Sequence, residues 1–108
     1  MMHVNLQGFL GDTAKLSRTT TLLRENGLRT LLLHLNSGEQ IPEHQTRGAI
    51  TVHCLQGEAT FLNGDERIEL KPASLISVPP GAPHSVIAQH ETLLLVTISE
   101  QVTPAFAP

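Results

Sequence analysis

Two Asn-Gly pairs, each set between runs of β-favouring residues, constrain the fold of this chain more than any other feature. They are Asn26-Gly27 and Asn63-Gly64. Asn-Gly is the strongest short signal for a β-hairpin, because both residues tolerate the positive φ that a tight turn needs. The sequence therefore predicts two hairpins, whose four strands span residues 19–24, 28–35, 58–62 and 66–70.

Four further runs of aliphatic and β-branched residues lie between these hairpins and after them. Only residues 12–16 have a helical composition, and they are too few to form a stable helix. Many short strands separated by turn signals are typical of an all-β sandwich or barrel, and 108 residues suffice for one such domain. The additional predicted strands span residues 49–55, 75–78, 84–88 and 92–98, and residues 101–108 are expected to form an irregular tail.

The composition argues against several classes of function. Apolar residues make up 40% of the chain and charged residues 16%, as in ordinary soluble domains. The net charge is −3 and the Lys and Arg residues are scattered, so we expect no nucleic-acid partner, because phosphate contacts need clustered cations. No apolar run is long enough to span a bilayer, and no secretory signal is visible. The single Cys54 fits a reducing cytoplasm, where we expect the protein to reside.

Two histidine-bearing segments bracket the middle strands, at residues 38–57 and 73–84. Their order and spacing resemble the two motifs of the cupin family, small β-barrels that often hold a metal inside. The first family motif has Gly, five residues, His, one residue, His, then Glu and a closing Gly. The second has Gly, five residues, Pro, one residue, Gly, two residues and His. The residues that match are His44, Gly57, Pro79, Gly81 and His84.

The resemblance implies an all-β, cupin-type double-stranded β-helix, that is, a jelly-roll barrel of the small RmlC-like kind. We expect residues 1–108 to form one cupin domain, with the motif-bearing barrel over about residues 28–98. Three motif positions depart from the family: Thr46 replaces the second His, Ile50 replaces the Glu, and Ala73 replaces the Gly that opens the second motif. Metal-binding cupins usually use three His and one Glu, so this ligand set is incomplete.

Strand alternation sorts the residues around this site, because successive side chains point to opposite faces of a sheet. If His44 points into the barrel, as the resemblance implies, Thr46 shares its face. The imidazoles of His44 and His84 should then lie close together, near Thr46. His34 is a third candidate ligand if it also points inward, which the turn at residues 36–38 leaves undecided. The residues predicted to line the pocket are Thr46, Ile50, Val52, Val86 and Ala88.

Three classes of function remain open. We favour a small-molecule pocket at His44 and His84 in a cupin-family protein of unassigned activity, because an apolar lining with few polar groups is the usual makeup of such a site. An alternative is a metal-dependent enzyme, resembling cupin dioxygenases or isomerases, with one divalent transition metal (Zn, Fe, Ni or Mn) on the two histidines. The third is a structural barrel with a vestigial site and no metal.

The expected partners are a small-molecule ligand or substrate and a second copy of the chain. Small cupins commonly form homodimers, and the apolar N-terminal residues 4–10 are candidates for an extra strand that pairs with a neighbouring sheet. Phe106, isolated in the proline-rich tail, is a candidate for docking on the partner.

Overall fold

Nine strands and one helical turn make up the computed structural model, which describes residues 1–14 and 16–100. All strand pairs are antiparallel. The elements in chain order are α1 (Gln7–Leu10), β1 (Thr19–Glu25), β2 (Leu28–Leu35), β3 (Gln40–His44), β4 (Ile50–Gln56), β5 (Ala59–Asn63), β6 (Glu66–Leu70), β7 (Leu75–Val78), β8 (His84–Ala88) and β9 (Thr92–Ser99).

The strands form two sheets that pack face to face as a jelly roll. The five-stranded sheet has the order β1-β2-β9-β4-β7, and the four-stranded sheet has the order β3-β8-β5-β6. In the second motif region, β7 belongs to the five-stranded sheet and β8 to the four-stranded sheet, so these consecutive strands do not pair with each other. The expected all-β cupin-type fold is confirmed.

The first Asn-Gly pair forms the expected tight turn. Asn26 and Gly27 have φ angles of 55° and 77°, and they join two paired strands. The second turn is shifted by one residue, since Asn63 still pairs with Glu66 and the two-residue loop is Gly64-Asp65. There only Gly64 has a positive φ, of 57°, so glycine alone supplies the conformation that the turn needs.

The hydrophobic core lies between the two sheets and consists mainly of branched aliphatic side chains. Strand alternation places them there: in β4, for example, Ile50, Val52 and Cys54 are buried while Thr51 is exposed. Cys54 is fully buried, as the sequence predicted, and burial raises the pKa of its thiol, which keeps it protonated.

The N-terminal segment departs from the sequence expectation in one respect. A helical turn lies at Gln7–Leu10, and beyond it the Asp12 carboxylate accepts the backbone N–H of Ala14. Residues 4–10 accordingly form no extra strand. The sequence also gave no separate prediction for β3, which contains Pro42.

The expected irregular tail, with Phe106, lies outside the described residues. Within the described residues, no helix is long and apolar enough to cross a membrane.

Candidate functional site

A half-open cavity of about 210 Å³ lies between the two sheets. The five-stranded sheet lines it with aliphatic side chains from β2, β4 and β9, and the four-stranded sheet adds residues from β3, β5 and β8. Three of the four polar lining residues, His44, Thr46 and His84, come from the motif segments, and the fourth is Thr19; none of the lining residues is Asp, Glu, Lys or Arg. The cavity is therefore an apolar chamber with one uncharged polar region.

The two motif histidines meet in that polar region. His44 at the end of β3 pairs directly with His84 at the start of β8. Their ring centroids are 4.2 Å apart, with the planes at 63° to each other. His84 is buried, with 3% of its surface exposed, whereas His44 is exposed and stands at the mouth. Both line the cavity.

An irregularity in β3 makes this pairing achievable. Ile41 pairs with Val86 and His44 pairs with His84. An advance of three positions along β3 therefore corresponds to two positions along β8, so β3 contains one extra residue. In a regular strand, Ile41 and His44 would point to opposite faces, because they are three positions apart and successive side chains alternate. A β-bulge at an edge strand is where Pro42 is tolerated, and here it turns His44 into the cavity.

Each imidazole is held by a backbone carbonyl two residues earlier in the chain. Nδ1 of His44 lies 3.0 Å from the Pro42 oxygen, and Nδ1 of His84 lies 2.9 Å from the Ala82 oxygen. A carbonyl oxygen only accepts, so both Nδ1 atoms carry the proton and donate. In the neutral rings this leaves Nε2 as a hydrogen-bond acceptor or ligand atom.

All the other predicted pocket residues except Ala88 line the cavity. Thr46 lines the cavity, but its hydroxyl donates to the Gly48 carbonyl at 2.9 Å. Ile50, Val52 and Val86 are buried and line the cavity. Ala88 is also buried, but it lies in the core beyond the cavity lining.

His34 is not brought together with the other two histidines. It alternates in β2 with Leu33 and Leu35, which face the core, so its side chain projects from the opposite face of the sheet. There Nε2 of His34 lies 2.9 Å from a carboxylate oxygen of Glu91. The structure therefore places His34, the possible third ligand, apart from His44 and His84, with Glu91 as its partner on the outer face.

The sequence reasoning missed part of the cavity lining. The most informative omission is Phe61 in β5, whose ring stacks on His84 with centroids 5.6 Å apart and planes at 14°. The alternation of Leu94, Val96 and Ile98 in β9 would have pointed to the same chamber. The cavity-lining residues that the sequence reasoning did not assign to the pocket are Thr19, Leu31, Leu33, Ile41, Phe61, Leu94, Val96 and Ile98.

The fold and the motif geometry agree with the comparison with protein families. A family model described as "Cupin domain" matches residues 31–99, well over half of the chain. The chain belongs to the cupin family. No protein matched in the comparison with curated proteins.

Many solved structures share this cupin fold. A cupin superfamily protein from Desulfitobacterium hafniense has a TM-score of 0.73 at 23% identity, over 77% of this chain and 76% of that chain. A cupin-2 domain protein from Shewanella frigidimarina has a TM-score of 0.74 at 13% identity, over 87% and 91%. A salicylate 1,2-dioxygenase from Pseudaminobacter salicylatoxidans has a TM-score of 0.65 at 19% identity, over 68% of this chain and 21% of that one. At these identities the likeness is one of fold.

The residues present do not fit the metal site of metal-binding cupins. Of the usual four ligand positions, His44 and His84 retain imidazoles, Thr46 offers a neutral hydroxyl, and Ile50 is a hydrocarbon with 5% of its surface exposed. Transition metals in proteins are usually held by three or four N, S or O ligands, so two imidazoles are a weak set. Across residues 1–14 and 16–100, no group of three His, Cys, Asp or Glu side chains is placed to hold a metal ion.

Proposed function

We propose that this cupin binds a small organic molecule in the cavity between its sheets, with His44 and His84 as the polar contacts and without a transition metal. The observation that carries the proposal is the cavity of about 210 Å³, apolar except for the two backbone-held imidazoles and two threonine side chains. Small-ligand sites combine such a lining with a few fixed polar groups that orient the ligand.

The size of the cavity supports a small occupant. A cavity of about 150 Å³ lined by aliphatic and aromatic side chains is large enough for benzene. The larger volume here suits one ring with a few additional atoms, and the half-open mouth offers it an entry path. His44 at the mouth and His84 inside would contact the occupant from two sides.

Methyl NMR tests this proposal directly. Val52, Val86 and Leu94 line the cavity, and their methyl signals should shift when a panel of single-ring compounds is titrated. The methyls of Leu28, which is half exposed, and of Leu75 should stay unshifted as controls. Absence of any shift across a panel of neutral and charged rings would contradict a ligand cavity.

Elemental analysis of protein purified without an affinity tag separates this proposal from the metal-dependent alternative. We expect less than stoichiometric transition metal, because only two imidazoles remain of the family's ligand set. A stoichiometric metal that survives dialysis would overturn the metal-free proposal and favour an enzyme of the dioxygenase or isomerase kind.

We also propose that the protein acts as a homodimer in the cytoplasm. The strand at residues 4–10 no longer supports the dimer, but the outer face of the five-stranded sheet does. Leu28 and Leu75 project from that face and have 50% and 67% of their surfaces exposed. A dimer contact on that face would cover both leucines. The fully buried Cys54 gives no disulfide and is compatible with a reducing compartment.

A further inference from the structure

The two cavity histidines present acceptors that no described residue satisfies. Since Nδ1 of each ring donates to a backbone carbonyl, a hydrogen bond to Nε2 would have to come from a donor. Among the described residues, none donates to Nε2 of His44 or His84. Every fully buried side-chain nitrogen among the described residues has a hydrogen-bond partner. Since Nε2 of His84 has no partner, this atom is not fully buried and is accessible from the cavity that His84 lines.

The nearby polar groups do not supply the missing donor. The Thr46 hydroxyl donates to the Gly48 carbonyl, and the Thr19 hydroxyl, which also lines the cavity, makes no hydrogen bond to either ring. In its neutral form each ring keeps Nε2 as an acceptor, because Nδ1 carries the proton that the backbone carbonyl accepts. A ligand that fits this region must therefore bring a hydrogen-bond donor.

The charge of the lining limits the ligand further. None of the residues that line the cavity is Lys or Arg, so a carboxylate or phosphate would leave water without gaining a fixed cation. None is Asp or Glu, so an ammonium group would be equally unpaired. The donor must belong to an uncharged group.

The side chains that line the cavity favour a flat, apolar group attached to that donor. Phe61 and His84 lie nearly parallel, with an angle of 14° between their planes, and aliphatic side chains from β2, β4 and β9 complete the chamber. The volume of about 210 Å³ suits a single ring with small substituents. A hydroxyl carried directly on an aromatic ring combines the flat body with a strong uncharged donor.

We propose that the ligand class of this cavity is the simple phenols, bound as neutral molecules with the ring among the aliphatic side chains and the hydroxyl donating to Nε2 of His84 or His44. This inference rests on the proposed function and adds the chemical class of the occupant. No metal and no covalent step is involved.

Isothermal titration calorimetry with three matched probes tests the ligand class. The probes are 4-methylphenol, toluene and 4-methylbenzoate, which share a methyl-substituted ring and differ in the polar group. A hydrogen bond to an otherwise unpaired acceptor contributes roughly 0.5–1.5 kcal/mol, so 4-methylphenol should bind up to about tenfold more tightly than toluene. The carboxylate should bind most weakly.

Three variants locate the effect. His84→Phe keeps a flat ring but removes the acceptor, and His44→Phe does the same at the exposed mouth, where folding is tolerant. At least one of them should abolish the preference for 4-methylphenol over toluene while toluene still binds. His53→Phe is the matched control, because His53 alternates with buried Val52 and Cys54 and lies on the other face of β4.

The outcomes separate the two proposals. If none of the three probes binds, the proposed ligand cavity itself fails. If toluene binds as tightly as 4-methylphenol, or 4-methylbenzoate binds most tightly, the ligand class is wrong and the cavity stands. Retention of the phenol preference in both cavity variants would also overturn the inference.

Discussion

At the scale of single residues, the hydrogen bonds at Nδ1 decide what the histidine pair can do. A histidine whose Nδ1 donates to a carbonyl presents Nε2 with a lone pair, which suits a metal or a hydrogen-bond donor equally. The neighbouring side chains then select between these uses. Ile50 and the occupied hydroxyl of Thr46 remove the ligands that a metal would need, and leave an apolar chamber beside two acceptors.

Restoring the missing ligands should therefore convert the cavity into a metal site. We expect the double variant Thr46→His/Ile50→Glu to bind Zn²⁺ or Mn²⁺ stoichiometrically. At a hundredfold excess of free metal over Kd, binding should raise the free energy of unfolding by about 2.7 kcal/mol. Elemental analysis and thermal unfolding with and without chelator measure this.

The control for that experiment is Thr46→His/Thr51→Glu, in which the new carboxylate stands on the exposed face of β4. Equal metal binding by the two double variants would show that the cavity does not have the ligand geometry of its family.

The backbone is strained at Ala73. It has a φ of 75°, in the left-handed region that costs a residue with a Cβ about 1–2 kcal/mol, and it occupies the place where the family motif has Gly. We expect Ala73→Gly to raise the free energy of unfolding by about 1 kcal/mol, measured by urea denaturation.

The matched control is Ala49→Gly. Ala49 is exposed and is not among the described residues with a positive φ, so glycine there should lower stability by about 0.5 kcal/mol. If both glycine variants lose stability, the conformation at Ala73 carries no strain.

At the scale of elements, alternation and turn chemistry predicted most of the fold. All eight strands expected from the sequence lie within one residue of the observed bounds. The edge strand β3 could not be predicted with the same rules, because Pro42 argues against a strand and the bulge breaks the alternation. The face of His34 was undecidable for a related reason: the turn at residues 36–38 separates β2 from β3, so alternation in one strand says nothing about the other.

On the outer face of β2, His34, Glu91 and Thr13 form a hydrogen-bonded cluster, here called the latch, that links the N-terminal segment to the sheet. The Glu91 carboxylate accepts hydrogen bonds from Thr13 at 3.0 Å and pairs with Nε2 of His34 at 2.9 Å. A second ion pair, Arg18 with Glu39 at 2.6 Å, stands nearby. The side chain of His34 is buried while that of Glu91 is 56% exposed, so the latch sits at the boundary with solvent.

This latch should give stability a distinct pH dependence. His34 and Thr13 hold the pKa of Glu91 below its ordinary value of 4.5. A carboxyl whose pKa is lower in the folded state stabilises above its unfolded pKa, and that contribution is lost as the pH falls through the folded pKa. We expect Glu91→Gln to be less stable than the parent at neutral pH, and its stability to fall less steeply below pH 4.5.

Urea denaturation across a pH series measures this difference. Glu66→Gln, at an exposed position of β6, is the control and should follow the parent curve. Parallel curves for Glu91→Gln and the parent would mean that the latch does not contribute to folding.

At the scale of the whole molecule, the fold does not determine the activity. Cupin jelly rolls host unrelated functions, and the similar structures include a dioxygenase and proteins identified only as cupins. The function proposed here depends on residues that depart from the family motif. Substrate identity was therefore beyond the sequence, because it depends on which donors and charges the folded chain leaves unpaired in the cavity.

The proposed homodimer is tested at the same scale. If the outer face of the five-stranded sheet is the interface, Leu75→Glu should weaken self-association at least about tenfold, or 1.4 kcal/mol, by placing a carboxylate in it. Sedimentation velocity over a concentration series measures this. Lys71→Gln, which changes the net charge by the same amount at an exposed position, is the control. A parent chain that stays monomeric at micromolar concentration would contradict the dimer.

The most direct test of metal-free ligand binding is one calorimetric comparison. The protein is stripped with a chelator, and 4-methylphenol is titrated into the stripped sample and into a sample supplied with Zn²⁺. We expect the same affinity in both samples, because the hydroxyl donates to an imidazole nitrogen and no metal takes part. Binding that disappears on stripping and returns with Zn²⁺ would contradict it.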